Sequence, residues 1–428
     1  MSDSTFTSEL TMRARGSQLK VLDRARVLGL IDRFVFVSLL ALIVIVAIPF
    51  GTVEPWWISL YECVVFCLGA LWLIEGSITG SWGLSEKQLL APAAALVAFM
   101  FLQTVTLPWA GDGAAPLNLW RSVSADPFET RLVFLKLLAF AINALLLLRY
   151  TSNRRRIRTL IHVVIGVGVA SALFGIVRQT MQHNETGFIL PYLRRNSGFG
   201  QFVNKNHFAF LMEMAIGLAT GFIAGGAVRR ERLLLYVSAV ALMWTALVLT
   251  SSRGGIFSMF GQIVFLIAMV VWLRRAKGAA GHRNEPQSSR AWRAGSILAT
   301  LGVGACIVAV VAVSAVWVGG DLLVTRMESL PAEVESEARE PHSGVRRREV
   351  WGATWNLIKA HPLIGSGFGA YDVAITKFHN ASGKWAPEAA HNDYLELLAS
   401  GGLVGGGLVV WFGFVFIKTA HRQLLSSE

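Results

Sequence analysis

Apolar residues in this chain come in blocks about as long as a bilayer is thick, and that constrains the fold more than any motif does. A bilayer core takes roughly 20 consecutive apolar residues per helix. Blocks of this order run over 33–50, 56–75, 88–107, 132–149, 157–178, 207–226, 232–250, 255–273, 295–318 and 395–417. Backbone groups in lipid must pair within their own segment, so each block is predicted to be a helix. The alternation that marks a membrane β-barrel is absent. Charged residues are only 15% of the 428, where a soluble domain would carry roughly a quarter. The expected fold class is therefore an all-α integral membrane protein with about ten transmembrane helices.

The placement of Lys and Arg orients these helices. The stretch up to Arg26 is mixed and basic, and no small-residue cleavage site follows the first apolar run, so it reads as a tail and not as a secretory signal. With that tail inside, the clusters Arg154-Arg155-Arg156, Arg229-Arg230 and Arg274-Arg275 all fall in inside segments. An even number of spans then leaves both termini in the cytoplasm. The chain divides into a cytoplasmic basic tail (1–32), a transmembrane bundle (33–318), a long periplasmic loop (319–391) and a last span with a cytoplasmic tail (392–428). The net charge of +12 is assigned to these loop clusters and to membrane lipids, not to nucleic acid. Cys63, Cys67 and Cys306 lie inside apolar blocks and read as packing residues, with no disulfide framework.

Three constellations could carry chemistry. Ser251-Ser252-Arg253-Gly254-Gly255 closes a tight outside turn. Arg253 is either a snorkelling anchor or a fork that pairs two diphosphate oxygens at once, with glycines allowing close approach. Arg346, Arg347 and Arg348 open a segment, 346–360, that reads as an amphipathic helix along the membrane surface, with Val350, Trp351, Trp355 and Ile358 at helical spacing. These arginines either rest on lipid headgroups or clamp an anion. Arg347 shares a face with Trp351 at i, i+4, which favours it among the three. His391 opens the last span in His391-Asn392-Asp393-Tyr394-Leu395-Glu396, sharing a helical face with Tyr394. It is either a helix-start contact or a neutral imidazole that accepts a proton from a sugar hydroxyl. The intramembrane charges Glu62, Lys136 and Glu213 are further candidates, or partners of one another. His183, His207, His342, His361, His379 and His391 form no short-spaced ligand pair, so neither a metal nor a cofactor is expected.

Taken together these motifs resemble the O-antigen ligase and O-antigen polymerase superfamily of bacterial inner-membrane glycan enzymes. Ser252-Arg253-Gly254-Gly255 looks like its SRGG element. The Arg346–Trp351 segment with His361-Pro362-Leu363-Ile364-Gly365-Ser366-Gly367 looks like its arginine helix and HPLxGxG turn. His391–Leu395 with Gly401-Gly402-Leu403-Val404-Gly405 looks like its entry to a late span, and Asn204, Asn206 and His207 sit in an NxNHFA element. The resemblance covers roughly 195–415. It implies about a dozen spans, hence twelve in place of ten if a short re-entrant pair is added. It also implies a metal-independent, inverting glycosyltransferase whose donor is a glycan on undecaprenyl diphosphate, used on the periplasmic side. Arg253 and Arg347 would hold the diphosphate and His391 would be the base. Arg346, Arg348, Asn204, Asn206 and His207 would contact substrate. In a ligase the acceptor is lipid A-core; in an O-antigen or exopolysaccharide polymerase it is a second lipid-linked glycan. A lipid-linked glycan transporter is the competing class. It would place broken helices and paired charges near the midplane, whereas the informative polar residues here gather at one face.

Overall fold

The computed structural model describes residues 26–48, 51–83, 87–105, 123–182, 198–280, 347–379 and 387–426. Their regular structure is helical. In chain order the helices are α1 (Arg26–Ala47), α2 (Pro55–Thr79), α3 (Lys87–Gln103), α4 (Pro127–Tyr150), α5 (Arg154–Met181), α6 (Lys205–Ala224), α7 (Arg230–Leu249), α8 (Arg253–Ala280), α9 (Arg347–Ala360), α10 (Tyr371–Ile375) and α11 (Asp393–Ser426). Seven of them (α1, α2, α4, α5, α6, α7 and α11) are long and apolar enough to cross a membrane. α3, with 17 residues, and the apolar stretch Gly254–Met269 of α8 are shorter. The expected span at 295–318 and the loop before α9 lie outside the described residues, as do Cys306 and Arg346.

The chain forms two compact units. The first comprises 1–39, 58–152 and 331–428; the second comprises 40–57 and 153–330.

In the first unit, Val35 and Leu39 of α1 pack with Leu68 of α2 and with Leu146 and Tyr150 of α4. The start of α4 is set locally. Asp126 accepts hydrogen bonds from the Phe128 and Glu129 amides at 2.9 and 3.1 Å, with Pro127 at the first helical position. Both features favour initiation at that residue. At the other end of α4, Arg149 pairs with the buried Glu75 carboxylate of α2 at 3.1 Å, and the Tyr150 hydroxyl donates to the same carboxylate. The Glu75 charge is thus taken into the interior with partners.

α11 corrects the expectation of one continuous last span: it breaks at Gly402 (φ 61°, ψ −162°). A break inside a membrane segment leaves helical N–H and C=O groups without partners, and each must find another. The 361–369 turn supplies them. Ser366 N and Gly367 N donate to the carbonyls of Ala399 and Ser400 at 2.8 and 2.9 Å. Leu403 N and Val404 N donate to the carbonyls of Pro362 and Leu363 at 2.9 and 3.0 Å. The two helical bonds lost across the kink are replaced by four to the turn. Gln103, at the end of α3, bridges turn and helix. Its amide nitrogen donates to Ile364 O at 2.7 Å and Ser400 O at 3.1 Å, and its amide oxygen accepts from Phe368 N at 3.2 Å. A β-carbon at Gly402 would overlap the Leu363 carbonyl, so both the positive φ and the close approach require glycine there.

In the second unit, α5, α6 and α7 enclose a core of Phe208, Met212, Ala215, Ala219, Val240, Met243 and Leu247. Small residues let the helices approach, as is usual where lipid removes the hydrophobic drive between helices. A β-carbon at Gly168 of α5 would meet the Met243 sulfur at 2.9 Å, with Ala215 nearer still. Gly255 of α8 faces Ala209 of α6 in the same way, at 2.7 Å. Before α6 the chain makes a tight loop in which Phe199 and Phe202 exchange backbone hydrogen bonds at 3.0 Å. Both rings pack on Phe208.

Cys63 and Cys67 are exposed free thiols on α2. They are not packing residues: the small neighbours Gly69 and Val65, and not the cysteines, occupy the buried stripe of that helix.

Candidate functional site

The second unit joins two of the sequence motifs. Asn204 caps α6, accepting from Asn206 N at 2.9 Å. Asn206 accepts in turn from the Ser252 hydroxyl at 2.7 Å. That hydroxyl also accepts from Gly255 N at 3.2 Å, which makes Ser252 the cap of α8. Lys205 reaches the Ser251 carbonyl at 3.3 Å. Ser251 itself has φ 52°, a left-handed residue closing the α7–α8 turn. Ser252 is buried, while Asn204, Asn206 and His207 are exposed. The His207 ring stacks over Phe210, 6.4 Å between centroids. The motif glycines have distinct tasks: Gly255 admits α6, while Gly254 is exposed with open space around it. Arg253 occupies the first position of α8. Its backbone thus stands between the buried cap and the exposed Gly254; its side chain lies outside the described residues. Helix N-terminal N–H groups and an arginine at one end favour an anion.

Sequence reading missed Arg178, which holds this corner from below. It is 5% exposed in α5 and donates to the Gly200 carbonyl at 2.7 Å and to Gln182 Oε1 at 2.9 Å. Gln201 is tied to the Ser171 hydroxyl at 2.7 Å and the Ala47 carbonyl at 2.9 Å. The only available signal was an arginine at the end of an apolar block, ahead of the segment that carries Gly198 and Gly200.

The first unit holds His391. α11 begins at Asp393, so His391 precedes the helix and takes φ 51°. This corrects the expected shared helical face with Tyr394: that spacing argument needs helix at both residues. Asn392 caps α11 instead, accepting from the Tyr394 and Leu395 amides at 3.1 and 3.2 Å. The residue before the histidine, Ala390, is fully buried. Its N–H donates to Glu396 Oε2 at 3.0 Å, and its carbonyl accepts from Trp351 Nε1 of α9 at 2.9 Å. The His391 imidazole is exposed and has no hydrogen-bond partner among the described residues. An imidazole so placed is available to a substrate hydroxyl.

α9 starts at Arg347, whose side chain lies outside the described residues, and Arg348 is exposed. The buried face of α9 is Val350, Ala353, Thr354 and Leu357, packed toward Tyr371, Ala374 and Ala399. The tryptophans are not on it: Trp351 is 41% and Trp355 53% exposed. The i, i+4 spacing from Arg347 therefore leads to a residue off the buried face of α9.

Of the intramembrane charges, Glu62 and Lys136 lie within electrostatic reach of each other. Glu213 accepts from the Ser258 hydroxyl at 2.6 Å, and its backbone carbonyl accepts from Gln262 at 3.0 Å. Among the described residues no group of three His, Cys, Asp or Glu could hold a metal ion.

The site residues thus form two groups, one in each compact unit: Asn204, Asn206, His207 and Arg253 in the second, and Arg347, Arg348 and His391 in the first. Comparison with known proteins bears on both. Residues 238–410 match the family model described as O-antigen ligase. That range takes in Arg253, the three adjacent arginines, the 361–369 turn, His391 and the α11 break. Asn204, Asn206 and His207 precede it, and the bond from Asn206 to Ser252 ties them to it. No curated protein and no solved structure matches the chain. Over residues 238–410 the chain is therefore similar to the O-antigen ligase family.

Proposed function

We propose that this protein moves a glycan from undecaprenyl diphosphate to an acceptor hydroxyl at the periplasmic face of the bacterial inner membrane, with lipid A-core as the acceptor. The observation that carries the reading is His391: an exposed imidazole on a fixed left-handed backbone, inside the family-matched region. In this mechanism His391 removes the proton from the attacking hydroxyl. The hydroxyl oxygen bonds to the anomeric carbon as the bond to the diphosphate breaks, and one displacement inverts the configuration. Arg253 and Arg347 take up the negative charge on the departing diphosphate, a contribution typically worth about 10²–10³ in rate per donor. Arg346, Arg348, Asn204, Asn206 and His207 contact the substrates around the reacting atoms. The diphosphate is already an activated leaving group, so the scheme uses neither a covalent enzyme intermediate nor a metal.

A polymerase using a second lipid-linked repeat differs only in acceptor. The test is reconstitution of the purified protein with an undecaprenyl-diphosphate-linked repeat, with and without lipid A-core. Product that needs the core identifies a ligase. A ladder of longer glycans without it identifies a polymerase. His391→Asn is the decisive variant, because asparagine tolerates a positive φ and cannot act as a base. It is expected to lose about 10²–10⁴ in rate. Full activity in this variant removes His391 from the chemistry. Movement of the intact lipid-linked glycan across proteoliposomes with no covalent conversion would instead establish a transporter.

A further inference from the structure

We infer that Glu396 and Trp351 are positioning residues for His391, holding the peptide bonds on either side of Ala390, the residue that precedes it; this rests on His391 being the base proposed above. Glu396 takes the Ala390 N–H at 3.0 Å and Trp351 gives its indole N–H to the Ala390 carbonyl at 2.9 Å. The Ala390 methyl is sealed in the core beside Leu357, Tyr371 and Ala399. On the far side of His391, Asn392 is fixed as the cap of α11, and Glu396 N donates back to the Asn392 carbonyl at 3.0 Å. Both flanks of the histidine are therefore immobilised, while its side chain is left unbonded among the described residues. The Trp351 arm comes from α9, the helix that also carries Arg347 and Arg348, so one contact sets the base relative to the arginine helix.

This arrangement offsets the cost of a left-handed non-glycine residue. Without an acceptor at position 396, the Ala390 N–H is buried and unpaired, and the loop relaxes toward ordinary backbone angles. That swings the imidazole away from its place, and a displacement of about 1 Å at a reacting group costs about 10²-fold in rate. Only an acceptor is required of residue 396, not a charge or a proton. Glutamine satisfies that requirement; alanine does not.

The experiment measures kcat and KM for the lipid-linked donor in the reconstituted full-length protein. The variants are Glu396→Ala, Glu396→Gln, Trp351→Phe and His391→Asn, each first passed through size-exclusion chromatography in detergent. Glu396→Ala and Trp351→Phe are expected to lower kcat about 10- to 100-fold with KM unchanged. Glu396→Gln is expected to stay within about threefold of the native rate, because its amide oxygen still accepts the Ala390 N–H. If Glu396→Ala does not fold, Trp351→Phe and Glu396→Gln decide the matter. Native kcat in Glu396→Ala or Trp351→Phe beside an inactive His391→Asn overturns the positioning role alone. So does a Glu396→Gln variant that folds but is inactive, since the carboxylate itself would then be needed. An active His391→Asn overturns the base assignment on which the inference rests.

Discussion

His361 follows the last residue of α9 and is half-buried near the Lys377 ammonium. A helix C-terminus ordinarily favours a protonated histidine. Here burial, and then the Lys377 charge, hold the imidazole below its usual value of 6.5. The folded state therefore binds this proton less readily than the unfolded chain does. Stability from the group is fully present above pH 6.5 and is lost as pH falls below that value toward the folded-state pKa. His361→Asn removes this titration. Thermal unfolding in detergent between pH 7.5 and 5.5, at roughly half-unit steps, is expected to show a shallower acid decline for the variant than for the native protein; equal slopes would contradict it. The same helix shows what residue types reveal. Apolar periodicity located α9 and set Val350, Trp351, Trp355 and Ile358 on its apolar face; Val350 is buried and Ile358 packs on the core, while Trp351 and Trp355 are exposed. Ala353 and Thr354 take the tryptophans' place, with Thr354 bonded to the Tyr371 hydroxyl at 2.6 Å. Close approach to Tyr371 requires small side chains, and a hydropathy pattern weights large ones. His391 was legible as a candidate from its motif; its left-handed backbone was not, because that depends on bonds to residues 396 and 351.

At the scale of elements, α11 and the 361–369 turn behave as one structure. The sequence shows Gly401-Gly402 within an apolar run and a separate Gly-rich turn some way before it. Neither pattern states that one supplies the hydrogen bonds the other lacks. Gln103 is less visible still, a single amide at the end of an apolar block, yet it is 1% exposed and reaches both pieces. Gln103→Leu, close in size, leaves Phe368 N and Ile364 O without this partner in a buried setting. Each such loss costs roughly 1–3 kcal/mol. The variant is expected to unfold at a clearly lower temperature in detergent, with reduced transfer activity because α11 also carries the start after His391. An unchanged unfolding temperature would show that water or backbone movement replaces the amide. The Asn206–Ser252 bond teaches the same lesson from the second unit. Its two motifs were each readable, and their contact follows from α6 and α8 packing through Gly255 and Ala209.

At the scale of the whole molecule, charge segregates along each unit. In the second, α5 and α7 both begin in arginines, and one turn further His162 accepts from or donates to the Tyr236 hydroxyl at 2.7 Å, joining those ends. The opposite end carries Asn204, Asn206 and Ser252. In the first, Arg149 marks one end of α4 and Asp126 the other. This segregation is why helices and their order were legible from sequence alone: lipid imposes segment length, and the surface potential imposes where cations fall. The positive-inside rule directs the arginine ends to the cytoplasm, so His391 and its neighbours should face the periplasm. Single cysteines test this in a variant with Cys63, Cys67 and Cys306 replaced by serine. Ser152→Cys lies at the arginine end beside α5, and Glu388→Cys lies just before His391; both positions are exposed. In cells with a permeabilised outer membrane, a membrane-impermeant maleimide is expected to label Glu388→Cys directly and Ser152→Cys only after the inner membrane is disrupted. The reverse pattern would place His391 in the cytoplasm, away from any acceptor assembled on the outer face, and the proposed transfer reaction would have to be abandoned with the orientation.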